Sequence, residues 1–155
     1  QLKIRKSDSL FVIGLLHEIG HLVIYAKYPE QAKYAIDNFQ DGKQLIHVTE
    51  QELLGLHYGQ IGSRLMAQWQ LPVNFQAITN FQPMPTDAPE YQIETSLLHI
   101  AHGYAHNYFG KTELTLEQLI IPESWKILNL TPDDIEPTLE NALNGCAELE
   151  KTLLK

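Results

Sequence analysis

Apolar residues recur at helical spacing along most of this chain. Val12, Leu15, Leu16, Ile19, Leu22, Val23 and Ala26 follow one helix face, and Ser7-Asp8-Ser9 offers an N-cap before them. Pro29 breaks that run and opens a second helix over Glu30 to Phe39, which Asp41-Gly42 ends. Thr49-Glu50-Gln51-Glu52 reads as a capping box starting a short helix that stops near Gly55. A longer one, Tyr58 to Gln70, carries Ile61, Leu65, Met66 and Trp69 on one stripe.

After Leu71-Pro72 the helical pattern resumes over Val73 to Asn80. The three prolines in Gln82 to Pro89 then predict an irregular surface loop. Glu90 to Phe109 reads as a strong helix closed by Gly110, and shorter helices follow over Thr115 to Leu119 and Pro122 to Leu128. The last helix spans Pro132 to Leu154, with a kink expected at Pro137. No period-2 alternation is sustained long enough for a strand, so the expected fold class is all-α.

Composition narrows the function classes. A length of 155 residues with 44% hydrophobic and 19% charged residues fits one globular domain over 1–155 with a real core. The formal net charge of −8 argues against a phosphate-binding surface spread over the whole domain, so no direct nucleic-acid partner is expected. The single Cys146 excludes an internal disulfide and fits a reducing, cytoplasmic compartment; it reads as a small apolar helix residue. Leu10 to Ala26 is interrupted by His17, Glu18 and His21, and no span or membrane partner is expected from it. Gln1-Leu2-Lys3-Ile4 lacks an initiator Met and any signal pattern, and reads as the inside of a longer chain.

The chemistry concentrates in His17-Glu18-Ile19-Gly20-His21, an H-E-x-x-H pattern. On a helix, histidines four apart share a face and can share a zinc ion, with the Glu as general base of a protease. The extended form of that motif asks for a glycine where Ile24 stands and a third His where Lys27 stands. Glu50 and Glu52 are later carboxylates that qualify by position only. The 16 residues before His17 also leave no room for a substrate-binding sheet, so a zinc protease is the remote reading.

Four longer segments carry a resemblance. Phe11 to Gly20 is similar to an "F-x-x-GLLHDIG" pattern. Glu52-Leu53-Leu54-Gly55-Leu56-His57-Tyr58-Gly59-Gln60-Ile61-Gly62 with Trp69-Gln70-Leu71-Pro72 is similar to "E-x-x-LG-x-x-H-x-x-x-G … W-x-LP". Leu97-Leu98-His99-Ile100-Ala101-His102-Gly103-Tyr104-Ala105 matches "L-x-H-x-AD-x-x-A", and Ile121-Pro122-Glu123 through Ile135 is similar to a closing "L-G-L-s-x-e-e-L". Together they resemble the HDOD domain (HD-related output domain) of bacterial signalling proteins.

That resemblance implies an HD-domain-like helical bundle, here without the family's N-terminal helical lobe. It implies a regulatory, signal-transducing role through a protein partner or an adjacent signalling domain. In active HD enzymes an upstream His, an adjacent His-Asp pair and a later Asp hold the metal. Here the upstream His would precede Gln1, the pair is His17-Glu18, and the later Asp position holds His102. A further imidazole, His57, joins them.

We therefore read His17, Glu18, His57 and His102 as vestigial metal positions, with no catalytic or cofactor-binding residue expected. If they hold an ion, imidazole and carboxylate suit a divalent transition metal better than magnesium. A metal-dependent HD phosphohydrolase acting on a nucleotide or phosphoester is the alternative function. His99, His102 and His106 share one helix face, but the simpler expectation is that His57 and His99 hold helices together by hydrogen bonds. His21 and His47 are expected to be partly exposed without a role, and Trp69 and Trp125 to lie in the core.

Overall fold

The structure, a computed structural model, describes residues 6–153, with side-chain environments for 9–146. The chain is all-α, and no strand occurs among the described residues. Helices α1 (Lys6–Leu16) and α2 (Ile19–Lys27) are followed by α3 (Pro29–Gln40), α4 (Ile46–Leu54), α5 (Tyr58–Gln68) and α6 (Val73–Phe81). A single 3₁₀ turn (Pro85–Asp87) leads to the long α7 (Gln92–Tyr108), and then α8 (Leu116–Leu119), α9 (Pro122–Leu128) and α10 (Pro132–Leu153).

The first apolar run is two helices, not one. Its periodicity continues across the break, but His17 and Glu18 form a turn between α1 and α2. This redirects α2 so that Gly20, His21 and Ile24 face inward. The stretch Ser9–Lys27 corrects a second expectation: its 19 residues are long and apolar enough, by length and composition, to cross a membrane. In this fold the stretch is bent at its polar centre, and 28% of it is buried.

Among the described residues, three apolar clusters form the core. Ile13 from α1 packs with Met66, Phe75, Ile78 and Leu98, joining α1, α5, α6 and α7. Ile24, Ala32 and Tyr58 join α2, α3 and α5. Phe39, Ile100, Leu114, Leu119 and Ile120 close the far side, where Trp125 packs as expected.

The α2–α5 crossing depends on glycine. A Cβ on Gly20 would lie 2.0 Å from the Tyr58 carbonyl oxygen, and one on Gly62 3.3 Å from an Ile19 methyl. Only hydrogen side chains let the two helices approach so closely.

Local signals account for several boundaries. Pro29 and Pro122 occupy the first turns of α3 and α9, where a missing N–H costs nothing. Gly55 ends α4 in the left-handed region at φ 72°. The expected start of α4 is displaced: the helix begins at Ile46, so Thr49 lies inside it and donates its hydroxyl to Gln44 at 2.8 Å. Likewise α1 already runs from Lys6, placing Ser7–Ser9 within the helix.

Trp69 is 53% exposed rather than core. Helix α5 ends one residue before it, and Gln70, at φ 58°, swings the chain so that Leu71 packs on the core instead. The proline-rich loop is not purely superficial either: Gln82, Pro83, Pro85 and Ala88 are buried under α7. Helix α10 runs through Pro137 as one element, and Cys146 on it is exposed.

Candidate metal centre

The α1–α2 break places two polar side chains against α7. The His17 N–H still completes the last turn of α1 by donating to the Ile13 carbonyl at 2.8 Å. Its ring Nδ1–H donates to the Gly14 carbonyl at 2.7 Å, which leaves Nε2 as the free acceptor. That Nε2 is buried and has no hydrogen-bond partner. Glu18 occupies the N-cap position of α2 without a side-chain capping bond, and the helix dipole there favours a carboxylate.

From the opposite side, α7 contributes His102 and His106, one turn apart. His102 Nε2 lies 3.2 Å from Glu18 Oε1, and His106 Nε2 lies 2.9 Å from His102 Nε2. His106 Nε2 is also 3.9 Å from Glu18 Oε1. His17, Glu18 and His102 each bring one donor atom within 4.8 Å of the other two. The rings of His17 and His102 meet edge to face, with centroids 5.1 Å apart.

The site's electrostatics favour ligand forms. The hydrogen bond from His102 holds the Glu18 carboxyl down at about 2, against the opposing effect of burial. Burial lowers His17 and His106 to about 4, and the nearby His102 adds to both shifts. At neutral pH Glu18 is thus an ionised carboxylate and His17 and His106 are neutral imidazoles, the states in which these groups bind metals.

His21 is a correction to the sequence reading, because it is buried at 6% exposure. Its Nε2 lies 3.1 Å from Glu50 Oε1, close but not aligned as a hydrogen bond, and its ring packs on Tyr58 with centroids 4.2 Å apart. Glu50, 1% exposed, accepts the Tyr58 N–H at 2.8 Å. His21 and Glu50 therefore form a second polar layer, behind Glu18 rather than beside His17. The sequence offers Glu50 to this histidine by position only, and the fold brings the two together.

Two grooves flank the cluster. One, of about 360 Å³, is lined by His21, Tyr25, Ile36 and Phe39, and the other, of about 350 Å³, by Gly14, His17, Leu98 and Phe109. Glu18, His106 and the exposed Lys111 line both.

His57 and His99 stand outside the cluster. His57 sits at the N-cap of α5, its backbone N–H donating to Gln60, and its ring meets that of His47 edge to face. His99 has the bridging role expected of it. Its Nε2 accepts the Ile121 N–H at 3.1 Å, so Nδ1–H donates to the Gln82 carbonyl at 2.9 Å. This ties α7 to the proline-rich loop and to the start of α9.

The family model for the HDOD domain matches residues 1–85. The chain belongs to the HDOD family. The HDOD match contains His17, Glu18 and His57, whereas His102 and His106 lie beyond it. Neither the curated proteins nor the solved structures include a significant match to this HDOD chain.

Proposed function

We propose that this chain is a non-catalytic HDOD signalling domain of a bacterial cytoplasmic protein. It transmits the state of a neighbouring domain to a protein partner through its helical surfaces. The observation that carries this reading is the pairing of Glu18 with His102. Where the HD pattern has two carboxylates, this chain has one, already engaged by an imidazole at 3.2 Å. A hard ion such as magnesium loses both negative charge and oxygen donors there.

Two features support a protein partner. Phe11, Leu15 and Leu22 are 68%, 69% and 62% exposed, more apolar surface than two short helices need to display. The formal net charge of −8 disfavours nucleic acid. A phosphodiesterase assay across magnesium, manganese, zinc, cobalt and nickel should give no turnover above background. Turnover that His17→Ala abolishes would overturn the reading.

The convergence of His17, Glu18 and His102 between two grooves favours a metal-dependent phosphohydrolase as the second reading. An ion held by these three residues would supply an activated water and polarise a phosphoryl oxygen. Lys111, lining both grooves, would bind a phosphate oxygen. A zinc protease lacks such support: His21 faces Glu50 and Tyr58 while His17 faces His102, so the two histidines do not converge.

A further inference from the structure

We infer that His106 completes a nitrogen-rich metal site with His17, Glu18 and His102, and that this site takes a divalent transition ion of the zinc class rather than magnesium. Four observations support it together. The first is spacing. Two donors each about 2.0–2.1 Å from a tetrahedral ion lie about 3.3–3.4 Å apart. The separations among His106 Nε2, His102 Nε2 and Glu18 Oε1 are 2.9, 3.2 and 3.9 Å, which bracket that value.

The second is the commitment of His17. Metal-binding histidines commonly donate their other ring N–H to a backbone carbonyl, which fixes the tautomer and the ring. His17 does this through the Gly14 carbonyl at 2.7 Å, and its buried Nε2 is left without any partner. A buried acceptor with nothing to accept is costly, and an ion in the cluster would relieve that cost.

The third is the close approach of two imidazole nitrogens. Between His102 Nε2 and His106 Nε2, 2.9 Å apart, only one proton fits. At least one of them therefore presents a lone pair toward the other.

The fourth is the donor set itself. Three imidazoles and one carboxylate suit zinc, cobalt, nickel or ferrous iron, whereas magnesium asks for oxygen ligands. The i, i+4 pair His102 and His106 supplies two of the nitrogens from adjacent turns of α7.

The site is independent of the signalling reading, because a bound ion need not hydrolyse anything. The test is accordingly one of binding. Untagged protein stripped with chelator is titrated with zinc and with cobalt, followed by calorimetry and by the visible cobalt absorption. One ion per chain is expected, undisturbed by excess magnesium.

His106→Ala and His106→Gln should each weaken zinc binding by about tenfold or more. His57→Gln, outside the cluster, should leave it unchanged. Far-UV circular dichroism confirms that each variant folds, and X-ray absorption on zinc-loaded wild-type protein counts three imidazoles whether or not they do. Absence of stoichiometric zinc binding, wild-type affinity in folded His106 variants, or fewer than three imidazoles would each overturn the inference. Phosphodiesterase turnover would refute the signalling reading and leave this site standing.

Discussion

Glu18 Oε1 meets His102 Nε2 at 3.2 Å although 84 positions separate the two residues in sequence. The contact fastens the α1–α2 break to the middle of α7, so the local irregularity and the long-range packing meet at one polar pair. Its geometry is specific, but its contribution to stability is small. The Glu18 side chain is 44% exposed, and water screens a pair at such a site.

Glu18→Gln in metal-free protein should therefore change the unfolding free energy by less than about 1 kcal/mol. Urea denaturation with chelator present measures this. A loss several times larger would mean that the carboxylate is a structural clamp. The same variant titrated with zinc should bind far more weakly, separating the residue's role as a ligand from its role in the fold.

His99 presents the opposite balance, being 5% exposed and bonded at both ring nitrogens. His99→Leu would leave the Gln82 carbonyl and the Ile121 N–H without partners in a tightly packed region. Each orphaned buried group costs about 1–3 kcal/mol, so a loss of about 2–6 kcal/mol is expected. Equilibrium unfolding provides the number, and a variant as stable as wild type would show that the bridge is dispensable. Zinc affinity of the folded variant should not move.

The same residue contributes to the acid sensitivity of the fold, together with His17, His47 and His106. Burial holds His99 down at about 4, against an ordinary value of 6.5, and His47 is lowered to about 4 chiefly by burial as well. Between those two values the unfolded chain takes up protons that the folded chain refuses. Stability is thus fully present above pH 6.5 and falls as pH drops toward 4. For His99 alone the loss amounts to about 3 kcal/mol. Thermal unfolding followed from pH 7.5 to 4.5 should show the midpoint falling through that window, and His99→Leu should flatten the slope.

Much of this architecture is legible in the residues, and the gaps have physical reasons. Pro29, Gly55, Gly110 and Pro122 act through their own backbone preferences, which tertiary packing does not override, and the helix ends they mark are found where expected. The α1–α2 break leaves no such mark, because the apolar periodicity continues across His17 and Glu18. Trp69 misleads for a related reason: its stripe position assumes a helix that stops at Gln68.

The site divides in the same way. The family pattern marks His17, Glu18 and His102, and the four-residue step from His102 makes His106 visible as a helix-face neighbour. That neighbour was not among the expected ligands. The layer of His21 and Glu50 depends on how α2 packs on α4 and α5, and no spacing along the chain encodes it.

Two glycines six residues apart in sequence should respond to alanine with opposite signs. A Cβ on Gly14 meets nothing within 4 Å, so Gly14→Ala only restricts the unfolded chain and improves helix propensity in α1. It should stabilise by about 0.5–1 kcal/mol. A Cβ on Gly20 would fall 2.0 Å from the Tyr58 carbonyl oxygen and 2.8 Å from the Gly62 nitrogen, both of them backbone atoms of α5. Rotamer changes cannot relieve that contact, and α2 and α5 must separate. Gly20→Ala should then cost about 3 kcal/mol or more. It should also carry His21 away from Glu50, the side chain behind it. Paired urea titrations read both variants, and a Gly20→Ala protein as stable as wild type would show that the two helices are not in close contact.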